Sequence, residues 1–251
     1  MTDEILPPAG GYAAAPGWLQ YSRGVRALPG HAIVRVRFQS PVPLDAGFTR
    51  IAAWLRDQGR PLTSLCACEL RSPGQFTEDG FRTFNLRYAE TLRDWGVMQG
   101  DANPVARSNV IPPVAAPQEP SFYAFCYAAL APGAAPSFVA AGAGESIEGT
   151  GPYPERIVAY GDTSAAGMRR KAEHVVQEME RRMALIGGSW QAATAVQVYA
   201  VHEIHGFVSD LLVARGAAAH GLTWHFARPP VAGLEYEMDV RAVHEERVAA
   251  P

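Results

Sequence analysis

One pattern occurs twice in this chain, about 130 residues apart, and it narrows the folds open to it: an amphipathic helix closed by glycine, a β run, a second helix and another β run. In the first copy Phe48, Ile51, Ala52 and Leu55 recur at helical spacing within 44–57, Gly59 breaks the helix, and 62–71 reads as a strand. In the second, Met168, Ala172, Val175, Met179, Met183 and Ile186 trace one face of a long helix capped by Asp162, Thr163 or Ser164. Gly187 and Gly188 end that helix, and 190–201 is β-rich. A second helical stretch follows in each copy, 79–95 with Phe81, Phe84, Tyr88, Leu92 and Trp95 on its buried face, and 206–219. The spacing therefore predicts an internal duplication.

The segments between these elements set the expected divisions. Residues 1–29 are rich in Pro, Gly and Ala without a clear period, and an irregular arm is expected. Residues 31–39 alternate apolar with polar and read as a half-buried strand ended by Pro41 and Pro43. A short β run fenced by prolines, 103–113, closes the first copy, and 113–120 reads as the linker between copies. The runs 121–130 and 137–142, joined by Ala131-Pro132-Gly133, are expected to form a hairpin, and 143–161 a glycine-rich loop. Two closing strands, 222–227 and 232–243, flank the turn Arg228-Pro229-Pro230. The expected divisions are thus an arm over 1–29, a first copy over 30–113 and a second over 120–245.

Composition excludes several functions. Of 251 residues 48% are hydrophobic, enough for a sizeable core, and a net charge of -3 provides no basic field for nucleic acid. No apolar run approaches the roughly 20 residues of a membrane span, and the start Met1-Thr2-Asp3-Glu4 lacks a signal peptide's positive and apolar regions, so a cytoplasmic protein is expected, with no membrane partner. Cys66, Cys68 and Cys126 are odd in number and are expected as buried small hydrophobes, with Cys66 and Cys68 on one side of a strand. The H-x-x-H spacing of His202 and His205 does not put both imidazoles on one strand face, so no metal site is expected. There is no G-x-S-x-G elbow, and no Lys-Ser/Thr pair follows the glycines at 142–144.

Three segments carry a family resemblance. Phe84-Asn85-Leu86-Arg87-Tyr88 with Ala106-Arg107-Ser108-Asn109-Val110 is similar to the helix motif N-x-x-Y and the strand motif P-A-R-S-x-V of the RidA family (YjgF/L-PSP, reactive intermediate deaminases). Phe138 to Gly142 is similar to that family's strand ending in V-S-G, and 230–240 to its closing strand. The resemblance, which extends to the chorismatases, implies an α+β fold: a tandem duplication of a RidA/chorismate-mutase-like unit, each a curved mixed sheet backed by two helices. It also implies ligand clefts between neighbouring domains and a homo-oligomer, a trimer favoured, since two copies do not complete a three-domain ring.

By the same resemblance, Arg107 grips a substrate carboxylate while Glu235, with Glu237 beside it, positions or activates water. Asn85, Asn109, Gly142 and Tyr127 are the substrate-binding residues it suggests. A guanidinium fork suits a carboxylate, and a carboxylate relays protons to and from water. Neither copy holds a complete set: the first has the Arg and no Glu on its closing strand, the second has the Glu and His220 or its neighbours in place of the Arg. The expected function is a cofactor-independent hydrolytic deaminase of an imine or enamine of a small carboxylic acid. The alternatives are a chorismatase-like hydrolase of a cyclic carboxylate and a non-catalytic binding protein.

Overall fold

A computed structural model describes residues 6–98, 100–149 and 151–249. The elements in chain order are β1 (Leu6–Ala9), β2 (Tyr12–Ala15), β3 (Gly24–Ala27), β4 (His31–Pro43), α1 (Leu44–Asp57), β5 (Leu65–Arg71), α2 (Glu78–Asp94), β6 (Ala106–Val110), β7 (Ser121–Leu130) and β8 (Phe138–Gly144), then α3 (Tyr153–Arg156), α4 (Ala165–Ile186), β9 (Ala195–Ala200), α5 (His205–Leu211), β10 (Thr223–His225), β11 (Tyr236–Ala242) and β12 (Glu245–Ala249). They form two mixed sheets, one in the order β12-β4-β7-β5-β6 and one in the order β1-β2-β3-β8-β11-β9-β10.

The helices start and stop where local chemistry requires. Thr77 accepts from the Gly80 N–H at 3.1 Å to open α2, and Ser164 does the same for Gly167 at 3.1 Å to open α4. Gly187 closes α4 at φ +71°, a conformation that costs a side-chain-bearing residue about 1–2 kcal/mol. Helices α1 and α2 bury Phe48, Ile51, Leu55, Phe84, Tyr88 and Leu92 against the outer face of the five-stranded sheet. On the seven-stranded sheet Met168, Val175, Met179 and Met183 of α4 and Phe207 of α5 do the same. The inner faces then meet over small residues, among them Ala14, Ala67, Ala106, Cys126, Ala128 and Ala141. The result is four layers, helix, sheet, sheet, helix, with small apolar residues and a set of buried charged side chains, Arg35, Glu69, Asp239 and Arg241 among them, between the sheets.

The connectivity of the two halves matches. Strands β4, β7, β5 and β6 stand side by side with β4–β7 and β7–β5 antiparallel and β5–β6 parallel. Strands β8, β11, β9 and β10 repeat that order and those senses.

Several expectations need correction. The predicted hairpin does not form: β7 pairs with β4 and β5, whereas β8 pairs with β3 and β11 in the other sheet. Strand β7 is apolar on both faces because it is interior to its sheet and sandwiched between helices and the second sheet, a partnership that a nearby turn cannot reveal. The passage between sheets thus falls after residue 130, and the segment 113–120 joins two strands of the same sheet. The N-terminal arm is not irregular, since β1, β2 and β3 extend the seven-stranded sheet. Strand β4 runs through its prolines to Pro43, which is tolerated because β12 pairs with it only as far as Phe38 and a register break separates Arg37 from Val42. The second helix of the second half stops at Leu211 rather than 219, and β11 opens at Tyr236 rather than 232. A register shift between Leu65 and Ala67 turns Cys66 toward the inter-sheet layer and Cys68 toward the helices; all three thiols are free and buried, as expected.

Candidate active site

Strand β6 is the last strand of the five-stranded sheet, its outer side covered by bridges from Ser22 to Ala106 and from Arg228 to Ile111, and it lies against β8 of the other sheet. At this seam opens a cavity of about 140 Å³ whose walls include Tyr21, Arg107, Asn109, Gly142, Arg182 and Glu237. Strand alternation decides what reaches it. Ala106 and Val110 of β6 turn toward the opposite sheet, which leaves Arg107 and Asn109 on the side facing α2 and the cavity.

Arg107 is 3% exposed and has no carboxylate partner among the described residues. Its Nη2 donates to Asn85 Oδ1 at 2.6 Å, and its Nη1 has no acceptor. Aromatic rings surround the guanidinium carbon, Tyr88 at 4.8 Å, Phe84 at 5.5 Å, Tyr21 at 5.6 Å and Phe81 at 5.7 Å from the ring centroids. Ring faces favour a cation but satisfy none of its N–H groups. Burial lowers the guanidinium pKa from its ordinary value, which measures how poorly this charge is compensated. Asn109 Nδ2, also on the cavity wall, and Ser108 Oγ just behind it likewise lack partners. A buried donor without an acceptor costs about 1–3 kcal/mol, so Arg107 Nη1 and Asn109 Nδ2 each carry an unmet demand for an acceptor.

Glu237 approaches from the second half. Tyr236, Met238 and Val240 of β11 point into the α4 core, so Glu237, Asp239 and Arg241 point between the sheets. Gly142 makes room for it: a Cβ there would stand 2.9 Å from Ser108 Cβ and closer still to Glu237 Oε1. Burial pushes the Glu237 carboxyl up to about 8, with Asp239 adding to the rise and Arg182 and Arg107 opposing it. Raised in this way, it holds its proton to higher pH than an ordinary glutamate does.

The other named residues divide cleanly. Asn85 holds Arg107 from α2, and Asn109 Oδ1 accepts from Ser72 Oγ at 2.9 Å, while its buried amide nitrogen has no partner. Glu235 does not reach the cavity. It precedes the strand, pairs with Arg228, and accepts from or donates to His202 Nε2 at 2.9 Å. The cause is Glu145, which accepts the backbone N–H groups of Glu235 at 2.7 Å and Tyr236 at 3.1 Å and is itself held by the buried Lys171 at 3.2 Å. This anchor starts β11 one residue after Glu235. Tyr127 is likewise outside the site, buried beside Phe125 under the helices, with its hydroxyl 3.4 Å from Gln58. His220 is exposed ahead of β10, where Trp224 and His225 stand instead of an arginine. His205 pairs with Glu203, and no group of three or more His, Cys, Asp or Glu among the described residues is placed to hold a metal ion.

Sequence motifs did not mark Tyr21, Glu178 or Arg182. Arg182 Nε donates to Glu178 at 2.6 Å and Nη1 to the carbonyl of Gly142 at 2.9 Å, which ties α4 to the cavity wall. The available signal was two cations, Lys171 and Arg182, three helical turns apart beside the apolar stripe of α4.

Fold and site together define a two-sheet α+β protein with a cavity at the seam of its halves, lined by guanidinium and carboxyl groups. The model of the 2-aminomuconate deaminase CnbZ family matches residues 5–247, and the 2-amino-5-chloromuconate deaminase of Comamonas testosteroni is 47% identical over 250 residues, 99% of this chain and 100% of that protein. The chain therefore belongs to the 2-aminomuconate deaminase CnbZ family, in agreement with the expectation of a deaminase for a small carboxylic acid. Among solved structures, a chorismatase aligns with 96% of this chain and 79% of its own at a TM-score of 0.43 and 15% identity. A cyanuric acid hydrolase from A. caulinodans aligns with 89% and 70% at a TM-score of 0.41 and 15% identity. No helix among the described residues is long and apolar enough to cross a membrane.

Proposed function

We propose that the protein hydrolytically deaminates an enamine of the 2-aminomuconate type in the cavity between its sheets. The observation that carries this is the pairing, in one cavity, of a buried guanidinium with an unused N–H and a buried carboxyl group that holds its proton to higher pH than an ordinary glutamate. Arg107 Nη1 and Asn109 Nδ2 hold the carboxylate next to the amino-bearing carbon. Glu237 donates its proton to the enamine carbon chain, so that the C=C–N unit becomes C–C=N. The resulting carboxylate takes a proton from water as the water oxygen bonds to the C=N carbon. When the C–N bond breaks, Glu237 passes that proton to the nitrogen, which leaves as ammonia, and takes back the hydroxyl proton as the C–OH becomes a ketone, so Glu237 ends protonated and one water is consumed per ammonia released.

We also read the halves as copies of one RidA-like unit, supported by their matched strand order, and the protein as a homo-oligomer. The edge strand β10, counterpart of the covered β6, leaves Trp224 and neighbouring Phe226 exposed at 37% and 57%. Light scattering tests the oligomer, and a monomeric mass contradicts it.

The chemical proposal is tested by the pH profile. A carboxyl whose folded pKa is raised keeps its proton up to the region of that raised value and loses it as pH climbs through it. With 2-aminomuconate, kcat is expected to decline as pH rises through about 8. Glu237→Gln is expected to lose about 100-fold or more and to lack that decline. A parent enzyme with flat kcat between pH 6 and 9 contradicts the assignment.

A further inference from the structure

The cavity holds more positive charge than one carboxylate answers. Three guanidinium groups line it, Arg107, Arg156 and Arg182, with three carboxyl groups, Glu148, Glu178 and Glu237. Two of the carboxylates are committed. Glu148 pairs with Arg23 and Arg181, each at 2.7 Å, and Glu178 pairs with Arg181 at 2.8 Å and Arg182 at 2.6 Å. Arg182 is thereby neutralised, and its Nη1 is spent on the carbonyls of Ala141 and Gly142.

Arg156 differs. It sits at the end of α3 with its side chain 20% exposed, and Nε and Nη1 donate to the backbone carbonyls of Gly151 at 2.9 Å and Ile147 at 3.2 Å. These contacts fix the direction of the fork without cancelling its charge. Glu78, about half exposed, stands 4.0 Å from Nη2, at the outer limit of an ion pair and too far for a hydrogen bond, and also accepts the Tyr153 N–H at 3.0 Å. The Tyr153 ring, 4.5 Å from the guanidinium carbon, supports it from one side. Arg107 on β6 and Arg156 on the connection between β8 and α4 are thus two cations on one cavity, neither hydrogen-bonded to a carboxylate.

Resting on the deaminase reading above, the geometry points to Arg156 as the group that binds a second, distal carboxylate, making the site selective for dicarboxylates over monocarboxylates of the same carbon skeleton. Arg107 reads the carboxylate beside the reacting carbon and Arg156 the far end. Arg156 is a specificity-determining residue that takes no part in the proton transfers.

Two unreactive ligands isolate this role, because trans,trans-muconate and sorbate share a six-carbon diene and differ only in whether the far end is a carboxylate or a methyl. By titration calorimetry the full-length parent is expected to bind muconate about 10-fold or more tightly than sorbate, the usual scale of one partly exposed charge-assisted contact. Arg156→Gln, which keeps an N–H donor for the loop carbonyls and removes the charge, is expected to bring muconate to the level of sorbate while sorbate changes less than about twofold. Equal weakening of both ligands would show that Arg156 only braces its loop, and an undiminished preference for muconate would place the distal carboxylate elsewhere; either overturns the proposal. Arg107→Met separates the two layers of inference, since it is expected to weaken both ligands. If it weakens neither, the reading of the site fails; if it weakens both while the parent shows no preference for muconate, only the role of Arg156 fails.

Discussion

Two sets of arginines and carboxyl groups lie where the halves meet, one at the cavity on the seam and one in the layer between the sheets, and they differ in how their charges are paired. In the cavity, Arg107 has an empty N–H and Glu237 holds its proton to higher pH than usual. In the layer between the sheets Glu69 accepts both Nε of Arg35 at 2.5 Å and Nη2 at 2.9 Å, with Arg241 at 3.7 Å. Asp239 accepts from Gln197 at 2.8 Å and from the Tyr199 hydroxyl at 2.7 Å, and Glu246 accepts from Arg241 Nε at 3.1 Å. Burial pushes Glu69 up, but Arg35, then Arg241 and Arg71, override it and hold the carboxyl well below the usual carboxylate range. Similar residue types therefore do opposite work. An ion-paired network ties β4 and β5 of one half to β11 of the other, with Arg241 Nη1 left without a hydrogen-bond acceptor but 3.7 Å from Glu69, whereas Arg107 in the cavity has neither an acceptor for Nη1 nor a carboxylate in ion-pair reach among the described residues.

The comparison is sharpened most by removing the hub of the ion-paired network. Glu69→Gln strips a buried counter-charge from Arg35 and Arg241, and a stability loss of about 3–5 kcal/mol is expected in denaturant unfolding. A loss under about 1 kcal/mol would mean that the network is not what joins the sheets. Sign matters here too: because Glu69 is held low, its contribution persists at neutral pH and is lost only in acid, opposite to Glu237.

A middle-sized effect is expected at Gly142, where the halves come closest. Gly142→Ala places a methyl against Ser108 and Glu237, and should cost about 1–3 kcal/mol with about a 10-fold fall in kcat/KM. Wild-type turnover and melting in that variant would mean that the seam has slack. The smallest effect belongs to Glu235, which pairs outside the cavity with Arg228 and His202. Glu235→Gln is expected to change kcat/KM by less than about twofold, and a loss comparable to that of Glu237→Gln would return the acid role to Glu235.

Helix faces were legible because a 3.6-residue period and terminal caps are local: α1 spans the expected residues, Ser164 is one of the three caps expected for α4, and Gly187 ends that helix as its spacing predicts. Strand partnership was not, as β7 demonstrates: a run buried on both faces carries no sign of which neighbours hold it. Arg107, Asn85, Asn109 and Gly142 could be named from short motifs. The choice between Glu235 and Glu237 could not, because the strand start is imposed by Glu145, 90 residues away from Glu235 in sequence. Arg156 and Arg182 escaped for a related reason, since their meaning lies in which carboxylates their neighbours have already taken.

The central claim is that Arg107 of one half and Glu237 of the other serve a single site. A double-mutant cycle measures this directly, using kcat/KM for 2-aminomuconate with Arg107→Met, Glu237→Gln and the pair. Groups acting on one bound molecule are non-additive, so the double variant should be no more than about threefold worse than the poorer single variant. Losses that multiply in full would show two independent contributions and contradict the shared site.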